Sequence, residues 1–233
     1  MLVALVDDNP EEVRAVITAL TEGGDHCRLL TGGAALTAGL RRETFDLVLL
    51  DWNMPGASGL ELLGWIRDNI ASPPPVIMLT SRTASEDIVA ALDAGASDYI
   101  IKPADPVIVR ARARAAVRRL APAAGGGIAR FGLFAFDRSA GTLLIDDQPV
   151  ELTRKEFEVA LLLFENCNRP LARSYMLQRV WHNSPEVETR TLDVHISRLR
   201  AKLNLRPERG FSLQTVFGFG YRLESMAELG DEG

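Results

Sequence analysis

Asp7 and Asp8 stand side by side at the end of a five-residue apolar run, Leu2–Val6, and an Asn-Pro turn follows them. Asp51 closes a second apolar run, Leu47–Leu50. Thr80 closes a third, Val76–Leu79, and Lys102, followed by Pro103, closes a fourth, Tyr99–Ile101. Short continuous apolar runs are the mark of strands buried on both faces, and the polar residue that ends each run lies where the strand leaves the sheet. Three carboxylates, one hydroxyl and one ammonium are thereby sent to one sheet edge. Two like charges ~5 Å apart repel by about 3 kcal/mol at an effective dielectric of ~20, so the cluster calls for counter-charge. A divalent cation supplies it, with Lys102 as a second source. Mg²⁺ suits such a site, because it takes one or two carboxylates, keeps waters and accepts phosphate as a further ligand. Asp51 is then placed to act as a carboxylate nucleophile that forms an aspartyl phosphate, while the metal and Lys102 neutralise charge on the phosphoryl oxygens. Taken singly, each residue has an ordinary explanation: a helix N-cap for Asp7-Asp8 or Thr80, a surface lysine for Lys102. Their arrival together at four strand ends is what points to chemistry.

Positioning them requires a parallel sheet. With Cys27–Leu30 as a further strand, five apolar runs alternate with segments of helical periodicity up to about residue 120. The pattern predicts an α/β domain over 1–120, a doubly wound five-stranded parallel sheet of flavodoxin-like type. Sheets of this kind bind ligands outside the carboxyl ends of their strands, near a switch in strand order. Ala121-Pro-Ala-Ala-Gly-Gly-Gly127 has no periodicity and reads as a linker over 121–127. Beyond it, Ile128–Phe136 and Thr142–Leu152 alternate like antiparallel strands, and helical patterns cover Arg154–Asn166, Ser174–Trp181 and Glu188–Leu203. The β-rich stretch Phe211–Leu223 is punctuated by Gly218 and Gly220. Strands, three helices and a terminal hairpin predict an α+β winged helix-turn-helix domain over 128–225.

Composition agrees with two ordinary folded domains: 233 residues, 47% apolar and 24% charged. No apolar run approaches the ~20 residues that span a bilayer, and the N-terminal stretch lacks the pattern of a secretory signal. Cys27 and Cys167 match no metal spacing and are expected to be reduced, so a cytoplasmic protein with no membrane association is expected. The net charge of −5 is unevenly spread. Between Arg169 and Arg222 ten basic residues face only four acidic ones, an electrostatic footprint for nucleic acid.

Within that segment, Leu192, Ile196, Leu199 and Leu203 define one apolar stripe of a helix. At 100° per residue the opposite face carries Arg190, Val194, Ser197, Arg198 and Ala201, flanked by Thr191 and Lys202. Arginines serve phosphate or guanine, and small apolar groups serve the thymine methyl, so this face suits the major groove of double-stranded DNA. Trp181 is expected in the core. His195 reads otherwise as a half-buried helix histidine with no metal partner nearby in sequence.

The segments VDDNP, LLDWNMPGASG, VIMLTSR and DYIIKP resemble the receiver domain of bacterial two-component response regulators, over Met1 to about Leu120. The resemblance implies that Asp51 is the phosphoacceptor, supplied by a histidine kinase. It implies further that Asp8, Asp51 and the backbone carbonyl of Asn53 hold Mg²⁺, with Asp7 acting mainly through water. Thr80 would bind a phosphoryl oxygen and Tyr99 would turn inward on activation; Tyr99 is otherwise a core aromatic of its strand. LTRKEFEVALLLFEN, RSYMLQRVW, RTLDVHISRLRAKL and TVFGFGYRL are similar to the effector domain of OmpR/PhoB-type transcription factors, over about Ile128 to Leu223. By that resemblance Arg190, His195, Arg198 and Arg200 lie on or beside DNA, with Thr215 and Arg222 in the wing. The helical wheel sets Arg200 and His195 at the flanks, where phosphate contacts are expected. RNA polymerase is a further partner of such factors.

The same resemblance implies a homodimer on activation, through the face built by the fourth helix, fifth strand and fifth helix. There this chain departs from its relatives. A pair that is ionic in them falls on Ile88 and Ile108, while Asp98 and Arg112 remain available for a bridge. The run Arg110, Arg112, Arg114, Arg118 and Arg119 is expected on this face or in solvent. In the wing, Phe217 stands where relatives carry an arginine that enters the minor groove. Packing against the strand pair is expected for it, a wedge against sugars or base edges being the alternative. Two other classes of function are weighed against a phosphorylation-controlled regulator. A Mg²⁺-dependent phosphatase would want a second acid two residues after its nucleophile, where Asn53 stands, so no enzyme is expected. A receiver that works without phosphorylation would not need the intact acidic set.

Overall fold

The computed structural model describes residues 1–120, 127–182 and 189–226. The chain separates into two compact units, Met1–Pro122 and Ala123–Gly233.

In the first unit five parallel strands, β1 (Leu2–Val6), β2 (His26–Leu30), β3 (Leu47–Leu50), β4 (Val76–Thr80) and β5 (Asp98–Ile101), lie in the order β2-β1-β3-β4-β5. The helices are α1 (Pro10–Glu22), α2 (Gly33–Leu40), α3 (Gly59–Asn69), α4 (Ser85–Asp93) and α5 (Pro106–Leu120). Alternate strand residues serve opposite faces of the sheet, which is why the strands read as unbroken apolar runs. Val3, Leu5, Leu47, Leu49, Ile77 and Leu79 pack with α1 and α5. Ala4, Val6, Val48, Leu50, Val76 and Met78 pack with α2, α3 and α4. The chain leaves β1 for β2 on one side and then returns to β3 on the other, so the switch in strand order falls between β1 and β3. Register completes the positioning. Val6 pairs with Leu50, so Asp7 and Asp51 leave the sheet at one level; Thr80 pairs with Ile101, one residue before Lys102. Gly59 opens α3 against the backbone of the Asp51–Trp52 step, and a β-carbon there would fall 2.3 Å from the Asp51 carbonyl oxygen.

The second unit begins with a four-stranded antiparallel meander, β6 (Ile128–Phe131), β7 (Phe134–Asp137), β8 (Thr142–Ile145) and β9 (Gln148–Val150). Here the sequence reading needs correction, because each expected long strand is a hairpin. Gly132 turns with φ +54°, and Asp146-Asp147 take φ +52° and +58°, left-handed at both positions of a two-residue turn. Helices α6 (Arg154–Glu165), α7 (Arg173–Trp181) and α8 (Thr189–Leu203) follow. The expected start of the last helix at Glu188, and residues 121–126 of the expected linker, lie outside the described residues. The unit closes with β11 (Phe211–Val216) and β12 (Gly220–Ser225), which pair with each other and with β10 (Leu171–Ala172), a two-residue strand without a periodicity signal. Leu192, Ile196, Leu199 and Leu203 of α8 are buried, as the helical wheel requires.

Candidate acidic site and nucleic-acid interface

Asp7, Asp8 and Asp51 each bring a carboxylate oxygen within 4.8 Å of the others. Asp7 and Asp51 are buried and Asp8 is exposed. Lys102 answers them: its Nζ lies 2.6 Å from Asp7 Oδ2, 3.2 Å from Glu12 Oε2 and 3.7 Å from Asp51 Oδ1. Asp7 Oδ1 accepts the backbone N–H of Asn9 at 2.8 Å, so both oxygens of Asp7 are occupied by donors. Thr80 is fully buried, and its hydroxyl and the backbone N–H of Trp52 both favour the ionised Asp51 carboxylate. Glu12 escaped the sequence reading, although an Asn N-cap with glutamate three residues later is a signal for a charged first turn.

Arg82 was also missed. Its guanidinium lies over the Trp52 ring at 5.0 Å, donates to Asn53 Oδ1 at 3.3 Å and pairs with Asp87 of α4 at 3.1 Å. The half-buried Tyr99 donates its hydroxyl to the Arg82 carbonyl at 3.0 Å and meets Trp52 edge-on, with ring centroids 6.5 Å apart. Residues beside the acidic cluster are thus tied to α4 and β5.

On the α4–β5–α5 side, Val89, Leu92, Ile101, Val107 and Ile108 are exposed, Val107 to 70% and Ile108 to 52%. Ile88 is half-buried. Asp98 and Arg112 already bond within the chain, at 2.8 and 3.0 Å. The expectation for the arginine run is corrected in part: Arg110 and Arg114 reach the carbonyl of Gly23, and Arg114 also reaches Asp25. They cap the C-terminal end of α1, which carries no basic residue in its own last turn.

On α8, Val194, Ser197, Arg198 and Ala201 are exposed opposite the buried stripe. The side chain of Arg190 lies outside the described residues. Thr191 is half-buried, its carbonyl 2.7 Å from His195 Nδ1, and His195 packs edge-on against Trp181. Arg200 and Lys202, expected at the flanks of the helix, are both bonded within the chain. Arg200 donates to the Leu213 carbonyl at 2.8 and 3.1 Å and to Thr215 Oγ1 at 3.0 Å. Lys202 pairs at 2.8 Å with Glu156, a carboxylate only 1% exposed at the start of α6. Arg222 is paired with Glu224. Tyr221 of β12 donates to Asp193 of α8 and stacks 4.9 Å from Arg173. These bonds brace the helix against the wing. Phe217 is also corrected: it is 100% exposed, at a tip turned by Gly218 with φ +71°, where no strand residue offers it a partner surface.

Residues 3–114 match the response regulator receiver domain, and residues 147–223 match the C-terminal domain of transcriptional regulatory proteins. The sensory transduction protein RegX3 of Mycolicibacterium smegmatis is 34% identical over 226 residues, which cover 95% of this chain and 98% of that protein. KdpE, a transcriptional regulatory protein of Mycobacterium tuberculosis, is 35% identical over 226 residues, covering 96% of this chain and 99% of that one. The phosphate regulon regulatory protein PhoB of Klebsiella pneumoniae is 37% identical over 181 residues, covering 77% and 79%. The chain belongs to the OmpR/PhoB family of two-component response regulators. It is a DNA-binding transcription regulator whose first unit has the receiver fold and whose second is a winged helix.

In this response regulator the Asp51 carboxyl is pushed above its ordinary value of 3.8, first by burial, which outweighs the pull of Lys102. The fold therefore prefers protonated Asp51, and the ionised group opposes folding once the pH rises from 3.8 through the raised value. In metal-free protein, Asp51→Asn is expected to raise the thermal midpoint by a few degrees at pH 7. Melts repeated below pH 3.8 should show that gain disappearing. A variant less stable than the parent at pH 7 would contradict this account.

Proposed function

We propose that Asp51 is the phosphoacceptor of the receiver and takes its phosphoryl group from a histidine kinase. The observation that carries this reading is the convergence on one buried carboxylate of the Thr80 hydroxyl, the Lys102 ammonium and two further aspartates. An Asp51 oxygen attacks phosphorus, the bond from phosphorus to the kinase imidazole nitrogen breaks, and the imidazole departs. Lys102 and Thr80 hold phosphoryl oxygens. The donor set is all oxygen and carries excess negative charge, which fits Mg²⁺. As the resemblance implies, Asp8, Asp51 and the Asn53 carbonyl would hold the metal directly, and Asp7, whose oxygens already accept from Asn9 and Lys102, would act through water. When bound, the metal supplies charge neutralisation at the phosphoryl oxygens. Tyr99 and Thr80 form the switch, through the Arg82 carbonyl that Tyr99 holds. The receiver spans 1–120, the linker 121–127 and the DNA-binding domain 128–225. The protein works in the cytoplasm as a regulator rather than an enzyme, with RNA polymerase as a partner at promoters. Among the described residues no helix is long and apolar enough to cross a membrane. Treatment with acetyl phosphate should label the wild type, and Asp51→Asn or removal of Mg²⁺ should abolish the label; label persisting in either case would overturn the assignment.

Dimerisation on activation is assigned to the exposed apolar edge with Ile88 and Ile108, in place of charge pairing. Apolar contacts are not screened, so association should survive high salt. Sedimentation of the phosphorylated protein should show Ile108→Asp as a monomer; undiminished association would remove this face from the interface.

The exposed face of α8, with Val194, Ser197 and Arg198, reads the major groove together with Arg190, whose part rests on the helical wheel alone, and Arg222, Thr215 and Phe217 belong to the wing. Arg200, His195, Thr191 and Lys202 support that face as well as bordering it. An uncharged wing tip lacks one electrostatic contact per subunit. Phe217→Arg is therefore expected to tighten DNA binding at low salt and to steepen the slope of log K against log salt by roughly 0.9 per added phosphate contact. Titrations at several salt concentrations would show parallel slopes if the tip faces away from DNA.

A further inference from the structure

We propose that Glu12 is a positioning residue that holds Lys102 back from Asp51 until phosphoryl oxygens compete for the ammonium. The inference rests on Asp51 as phosphoacceptor and adds a carboxylate that slows its phosphorylation. Lys102 hydrogen-bonds Asp7 at 2.6 Å and Glu12 at 3.2 Å, whereas Asp51, at 3.7 Å, is only within ion-pair reach. An ammonium has three donors, and here two are directed at residues other than the nucleophile.

Glu12 is itself held in place. Its Oε1 accepts Asn9 Nδ2 at 3.0 Å, while the Asn9 backbone N–H donates to Asp7 at 2.8 Å. Asp7, Asn9, Glu12 and Lys102 thus close a ring of hydrogen bonds. The two carboxylates of the ring differ in how firmly they hold the lysine. Asp7 is buried, so its bond to Lys102 is shielded from water, whereas the Glu12 side chain is 54% exposed. Glu12 and Lys102 also share the wall of an open cleft of about 340 Å³ with Leu79, Ser81 and Pro103, so the glutamate can swing into solvent without repacking the core. An arriving phosphoryl group displaces the bond that water already weakens. Until it does, Glu12 both occupies a donor of Lys102 and adds a negative charge where an anionic phosphodonor must approach. The charge effect is screened by salt, because the carboxylate is half in water.

Acetyl phosphate labelling of the full chain at saturating Mg²⁺, over a series of ionic strengths, tests this. Glu12→Gln should label roughly 3- to 10-fold faster than wild type at low salt, the effect of one partly screened unit charge, with the gap narrowing as salt rises. Glu11→Gln is the control, because Glu11 pairs with Arg14 and not with Lys102; it should stay within about twofold of wild type. In metal-free protein without phosphodonor, nitrogen-15 NMR should show the Lys102 ammonium protons exchanging with water faster in Glu12→Gln, and Glu12→Asp should restore part of the protection. Equal labelling by wild type and Glu12→Gln at every salt, or an equal gain in Glu11→Gln, would overturn the proposal. Should wild type fail to label at all, the assignment of Asp51 fails instead, and the exchange measurement alone decides whether Glu12 holds the lysine.

Discussion

Repulsion among carboxylates at the end of a parallel sheet is the constraint on which the receiver depends. Asp7, Asp8 and Asp51 lie within 4.8 Å of one another because the register of β1 and β3 delivers them there. Lys102 is held by the next two strands, so the counter-charge exists only once β4 and β5 have paired in register. Burial raises the energy of the charged Asp51, and the surrounding apolar layers make that tolerable by fixing the sheet on both faces. A site of this kind is short of positive charge. It is therefore ready for a metal and for any group that rearranges the charge balance.

That imbalance reaches beyond the cluster through a few side chains. Arg82 spans from Asn53, beside the acidic cluster, to Asp87 on α4, and its carbonyl is the acceptor for Tyr99 on β5. Trp52, next to Asp51, lies under the Arg82 guanidinium and edge-on to Tyr99. The chain neighbours of Asp51 thus touch residues that border the α4–β5–α5 surface. The exposed apolar residues of that surface have no partner chemistry in water, while the Asp98–Arg112 ionic pair there is closed within the chain.

In the winged-helix unit the positive charges divide by what they touch. Arg200 and Lys202 fix α8 to the wing and to α6, so they serve the rigidity of that helix. Arg198 is exposed on the opposite face beside Val194 and Ser197. A helix that reads base edges needs both kinds, since hydrogen-bond readout has little tolerance for misplacement.

Local patterning specified the receiver strands, the helices and the buried face of α8, but not the hairpins of the second unit or β10. An apolar run that ends in Asp, Thr or Lys carries its own strand end, and a stripe at +4, +3, +4 carries its own buried face, because both depend on local periodicity alone. So the acidic cluster and the outward face of α8 were legible without coordinates. Tertiary structure decided the partners of long side chains. Glu12 meets Lys102 across 90 residues, Arg82 meets Asn53 across 29, and Arg200 meets Thr215 across 15. It also decided that Phe217 stands in water and that Asp98 closes on Arg112. Such contacts depend on strand order, register and the reach of flexible chains between elements, none of which a single segment encodes.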